Sequence, residues 1–265
     1  MSRFAEDTAV ERVGGGQYRA HITDRWSIGS GPNGGYLSAI LVRAMQASVA
    51  DADHALRVFN VHFLAPPTWG DADVLVSVER AGRTLTSVTA RIVQSGRPLV
   101  VAMAAFGASR TSPEFATHDA LPYALPSAGA PAPLAEVPDG VPAIAQRYGY
   151  EIVDDPRITG EPVLGGWLRL EDGAPFDTAG VVAAADAWLP VAGLHLPDPV
   201  LVPTVELTVY VRRALPPEGI GEHIATRLRS SLVAEGYVEE DGELWDARGE
   251  LVAISRQLSV VRPVR

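Results

Sequence analysis

One order of sequence patterns occurs twice, on either side of a stretch rich in proline, and this repetition limits the chain to folds built from two like units. In the first copy "PNGGYLSAILVRAMQASVA" places Tyr36, Leu37, Ile40, Leu41, Ala44 and Met45 at helical spacing with few polar interruptions. Such a helix is enclosed nearly all round. It is followed by "LRVFNVHFL", "ADVLVSVER", "RTLTSVTARIVQ" and "RPLVVAMAAFG", separated by turns as short as "AGR" and "SGR". Gaps of that length cannot hold parallel crossovers, so these runs are expected to form an antiparallel meander. In the second copy "LGGWLRL" reads as a strand, and "TAGVVAAADAWL" as a buried helix stopped by Pro190. The runs "TVELTVYVRR", "EHIATRLRSSLVAEG", "GELWDARG" and "ELVAISRQLSVV" read as further strands. Letters recur as well: "VHFLAPP" is echoed by "VYVRRALPP", and "GRPLVVAMAAF" by "GELVAISRQL". Between the copies, seven prolines lie from Pro113 to Pro142. Proline removes backbone donors and fixes φ, so this part reads as a linker.

The expected architecture is therefore α+β: a unit at 1–110, a linker at 111–155, with 111–139 at most loosely packed over a sheet, and a second unit at 156–265. The 265 residues, 47% hydrophobic and 20% charged, suffice for that core. With no cysteine, disulfides, thiolate metal sites and a cysteine nucleophile are all excluded. A formal net charge of −10 without Lys/Arg clusters argues against nucleic acid. No signal-like start and no long apolar run is present, so a soluble cytoplasmic protein with no membrane partner is expected.

Within "GVVAAADAWLP", Asp186 interrupts an apolar run, where an ionised carboxylate is costly unless hydrogen-bonded. On the residues alone it is either a structural buried acid or a functional one. Thr204 opens a strand and could be merely a strand residue. Gln257 shares a strand face with the small residues Ala253 and Ser255, which leave room above the sheet. Asn33 or Ser30 can cap the first helix, while Gly34 and Gly35 let another backbone approach its first turn. "GSGPNG" fits G-x-G-x-x-G but lacks the strand before and the parallel strand after that a dinucleotide site needs. The six histidines have no metal-ligand spacing, and no G-x-S-x-G elbow exists. Arg80, Arg83, Arg91 and Arg97 flank turns and strands of the first unit.

The helix start "GPNGGYLSAI", the "GRT" turn at Gly82–Thr84, the "QSGRPLVVAMAAF" strand and the C-terminal "ARGELVAISRQLSVV" resemble the double hot-dog acyl-CoA thioesterases. The resemblance spans nearly all of the chain outside the linker. It implies two curved antiparallel sheets side by side, each wrapped around an apolar helix. It also implies a catalytic group of Asp186, Thr204 and Gln257 that hydrolyses an acyl thioester to the free acid and CoA, without cofactor or metal. Ala187 and Trp188 depart from the polar residue the family has two positions after the Asp. In the first unit Ala104 or Ala105 takes the place of Gln257, so the resemblance implies one active site per chain. A thioester is already activated, so its hydrolysis needs a positioned water, a base and donors to the developing oxyanion. Asp186 either takes the proton of that water or attacks directly to give an anhydride. Gly34 and Gly35, with a helix-start amide near Gly35 as oxyanion donor, and Arg83, facing CoA phosphate, are the expected substrate-binding residues. The partner is an acyl-CoA or other acyl thioester, and a homodimer is compatible with, though not required by, a double unit. The alternative is a hot-dog protein that binds acyl-CoA or lipid without turnover.

Overall fold

Ten of the fifteen residues of Gly34–Ser48 are buried, as a helix without a polar face must be when a sheet curls round it. The structure is a computed structural model that describes residues 2–49, 51, 53–118, 120–126, 130 and 141–264. Its first half runs α1 (Arg3–Asp7), β1 (Val10–Gly14), β2 (Gln17–Ile22), α2 (Gly34–Ser48), β3 (Ala55–Phe63), β4 (Gly70–Arg80), β5 (Leu85–Gln94) and β6 (Arg97–Gly107). The second begins with β7 (Tyr148–Asp154), α3 (Pro156–Thr159), β8 (Val163–Leu170), α4 (Thr178–Ala184) and α5 (Val191–His195). It continues with β9 (Val200–Leu201), β10 (Thr204–Val211), β11 (His223–Arg229), β12 (Val233–Ala234), β13 (Tyr237–Asp246), β14 (Leu251–Val260) and β15 (Arg262–Pro263).

One antiparallel sheet runs in the order β1-β2-β4-β5-β6-β3-β10-β14-β13-β11-β8-β7, with β12 beside β13, while β9 and β15 pair separately. The second half of that order is the first reversed, so β3 matches β10, β6 matches β14 and β5 matches β13. The halves join where Asn60 faces Thr208 and Val61 faces Leu207 across β3 and β10. Each half wraps a helix, and α2 packs on α4 at the centre. This is the double hot-dog expected from the sequence.

Three details differ from expectation. The linker reading of 111–155 takes in a strand, since β7 pairs with β8 from Tyr148↔Leu170 onward. Residues of its first part are also seated. Tyr123 packs with Trp167 and Trp245 on the outer face of the second half, and Trp167 Nε1 donates to Ala124 O at 2.7 Å. Much of 111–139, including 127–129 and 131–139, lies outside the described residues, so the expectation about its packing is not addressed there. Next, the helix read through Leu189 stops at Ala184, and Asp186 lies in the turn beyond it. Finally, β1 and β2 extend the first half before its helix. β2 does alternate, with Tyr18, Ala20 and Ile22 inward, but its six residues are half polar.

Candidate active site

The turn that carries Asp186 exists because two helix ends meet there. The N-terminus of α2 runs against the C-terminal end of α4 so closely that a Cβ on Gly35 would stand 2.5 Å from Ala183 O. A Cβ on Gly34 would stand 2.8 Å from Asp186 Oδ2 and 2.7 Å from Phe63. Only glycine at both positions allows this approach. Asn33 caps α2, accepting from Tyr36 N at 2.9 Å. The Asn33 amide then donates across the gap to Asp186 O at 2.8 Å and Asp186 Oδ2 at 3.1 Å. Gly35 N donates to the same Oδ2 at 2.8 Å, and the Gly34 amide also supports the carboxylate. A helix N-terminus, with free amides and a positive dipole end, thus cradles the charge.

Two opposed influences set the acidity of Asp186. Burial raises it, and the hydrogen bonds from Gly35, Thr204, Asn33 and Gly34 lower it, leaving it raised from 3.8 to about 6. The side chain is therefore anionic at neutral pH yet basic enough to take a proton. Its charge, after burial itself, also helps hold the Tyr148 and Tyr150 hydroxyls well above the usual phenol range. Tyr150 donates to Ala187 O at 2.7 Å and its ring meets Trp188 edge-on at 5.2 Å, which fixes the turn from the other side.

From Asp186 a chain of polar contacts crosses the sheet. Thr204, at the start of β10, hydrogen-bonds the carboxylate. Its Oγ1 lies 3.5 Å from Gln257 Oε1 on the neighbouring β14. Since the single hydroxyl proton is drawn more strongly to a carboxylate than to an amide oxygen, Gln257 Oε1 is left an open acceptor beside both groups. Gln257 Nε2 in turn donates to Glu240 Oε1 at 2.8 Å, and Glu240 Oε2 accepts from Val191 N at 2.8 Å. Gln257 and Glu240 are both buried. Burial, with Asp186 nearby, raises Glu240 to about 7 against the hydrogen bonds it receives.

Residues 22–107 match the family description "Acyl-CoA thioesterase N-terminal domain" and residues 122–261 the description "Acyl-CoA thioesterase C-terminal domain". The chain belongs to the acyl-CoA thioesterase family. A thioesterase-like protein, TwmA, of Talaromyces wortmannii is 24% identical over 98% of this chain and 92% of its own. A solved hot-dog protein of unknown function from Alicyclobacillus acidocaldarius superposes with a TM-score of 0.87 at 25% identity, covering all of both chains. A structure from Thermobifida fusca, solved under the provisional description thioesterase II, gives 0.83 at 30% identity over 98% of each.

In this acyl-CoA thioesterase family member the structure thus brings together Asp186, Thr204, Gln257, Gly34 and Gly35 of the residues singled out from sequence. Arg83 is not among them. Its turn lines a surface hollow of about 450 Å³ with Ser48, Val49, Asp51 and His54, at the far end of α2. At 1.5 Å per residue, fifteen helical residues put that roughly 20 Å away. The Gly35 amide, expected to serve the oxyanion, is engaged by Asp186 itself. Two participants escaped the sequence reading. Asn33 was visible only as a helix cap. Glu240 lies in "YVEEDGE", which looks like an acidic turn, although inward Val238, Glu240, Gly242 and Leu244 show the strand alternation that could have found it.

The first half repeats the positions without these polar side chains. In the sheet, Gln257 faces Leu207 and Glu240, while at the matching place Ala104 faces Phe59 and Val88. Around the helices, Asp177 caps α4 by accepting from Gly180 N, as Asn33 caps α2. Its other oxygen pairs with Arg43 on α2 at 3.0 Å. An aspartate–arginine ion pair between the N-terminus of α4 and α2 thus stands at the place matching the Asn33–Asp186 contact between the N-terminus of α2 and the end of α4. Among the described residues, no helix is long and apolar enough to cross a membrane.

Proposed function

We propose that this protein hydrolyses a fatty-acyl or related acyl-CoA thioester to the free acid and CoA, at one site per chain. The observation that carries this reading is a basic, helix-cradled Asp186 sharing a polar chain with Thr204 and Gln257. In the reaction the Asp186 carboxylate, whose Oδ2 is held by Gly35 N and Asn33 Nδ2, takes a proton through Oδ1 from water as the water oxygen attacks the thioester carbonyl. Thr204 and Gln257 Oε1 fix the orientation of that water. Collapse of the tetrahedral species breaks the C–S bond, the thiolate leaves, and the proton held by Asp186 completes the thiol. The rigid cradle means that Asp186 needs no rearrangement before each turnover. Gly34 and Gly35 keep the α2 first turn thin enough for this approach. The scheme requires neither a metal nor a redox cofactor.

The competing reading is a hot-dog protein that binds acyl-CoA without turnover. A panel of acyl-CoAs of graded chain length, assayed by thiol release and by calorimetric binding on one preparation, separates the two. Release of thiol and free acid in equal amounts is the expected result. Tight binding without release would establish the binder instead.

A further inference from the structure

Glu240 is the buried acid for which the hydrolytic scheme has no use. Its two oxygens each accept one N–H, from Gln257 Nε2 and from Val191 N at the start of α5, both at 2.8 Å. A primary amide can occupy its site in two orientations related by a 180° flip, and its partners decide which. With Nε2 bound to Glu240, Gln257 Oε1 must point towards Thr204 and Asp186. With Glu240 ionised, as it is at pH 8, the flipped orientation would set two acceptors, Gln257 Oε1 and Glu240 Oε1, against each other. Val191 N–H anchors the second oxygen of Glu240, so the acid cannot turn to relieve that clash.

We propose that Glu240 is a positioning residue that fixes the Gln257 amide with its oxygen towards Asp186, making Gln257 an acceptor for the attacking water and not a donor to the substrate carbonyl. The proposal rests on the hydrolytic reading above for its kinetic consequence, though not for the amide orientation itself. It explains why an acid is retained in the sheet opposite Gln257, where the inactive half has Val88 opposite Ala104. It also assigns α5 a task, since the anchor is the first amide of that helix.

The test is Glu240→Gln, which keeps shape while replacing one acceptor oxygen by a donor. Facing Val191 N–H with its oxygen, the new amide turns its NH₂ to Gln257 and drives the Gln257 flip. Outer-shell partners that orient functional groups are worth about 10–100-fold in activity, so kcat for thiol release should fall by about tenfold or more with KM little changed. In a Gln257→Ala background the same change should cost less than about twofold, because the group it positions is gone. The Gln257 side-chain amide resonances, assigned by their loss in Gln257→Ala, should shift in Glu240→Gln. Should that variant not fold, Glu240→Asp, which withdraws the acceptor by one methylene, carries the same cycle. Equal losses in both backgrounds, or Gln257 resonances that do not move, would overturn the proposal. If the wild type releases no thiol, the hydrolytic reading fails, while the resonances still decide whether Glu240 orients Gln257.

Discussion

Replacing Asp186 by Asn should make the protein more stable at pH 8 and leave it unchanged at pH 4. The carboxyl is raised from 3.8 to about 6 in the fold, chiefly by burial. Between those values the folded chain holds a proton that the unfolded chain has released, so stability is full below about pH 4 and declines as pH rises through 6. A shift of about 2 units at 1.36 kcal/mol per unit gives about 3 kcal/mol. Because Asp186 keeps some contact with solvent, and Asn gives up charge-assisted bonds from Gly35 and Asn33, the net gain is nearer 1–2 kcal/mol. Asn can still accept from both donors and turn its NH₂ to Thr204. For a chain of this length the gain corresponds to roughly 2–6 °C in Tm. Thermal unfolding of both proteins at pH 4, 6 and 8 measures it. A variant less stable than wild type by the same amount at every pH would show that Asp186 is a structural acid whose charge the fold does not oppose.

The other substitutions probe the geometry around it. Gly35→Ala gains at most about 1 kcal/mol of helix propensity, yet its Cβ would lie 2.5 Å from Ala183 O. Overpacking costs about 1–3 kcal/mol, so denaturation should show net destabilisation together with reduced kcat, and an unaltered variant would refute the close helix approach. Thr204→Ala and Gln257→Ala should each lower kcat less than Asp186→Asn does. The triple variant should lose less than the product of the three factors, as groups acting in one unit do. In a pH profile kcat/KM should rise through about pH 6 as Asp186 ionises, and Asp186→Asn should abolish that limb. Arg83→Ala, at the far end of α2, should leave kcat/KM unchanged; a tenfold loss would place the CoA path there.

The repeated order of helix and meander was legible because strand alternation and an all-apolar helix leave marks in local sequence. What local pattern could not show was where tertiary contacts intervene. The run Thr178–Leu189 has helical composition throughout, but α2 abuts its end and the helix yields at Ala184 to a turn that presents Asp186. Asn33 reads as an ordinary cap, since its bond to Asp186 spans 153 positions of sequence. Glu240 resembles a solvated acid until β13 is seen to begin at Tyr237. Arg83 differs for the opposite reason: a basic residue by a turn suits a phosphate, and only the fold shows that this turn stands at the far end of α2 from Asp186. Asp186, Thr204 and Gln257 were reached through family resemblance, because each residue type is common in its own element.

Single-turnover thiol release by wild type and by Asp186→Asn, per folded molecule and with the acyl-CoA that the wild type turns over fastest, tests the central claim most directly. The account predicts a loss of about 10²–10⁴-fold in the chemical step, with substrate affinity nearly unchanged since the lost group acts in the transition state. Wild-type rates in the Asn variant would contradict it, because the carboxylate at the meeting of α2 and α4 would then have no part in the chemistry.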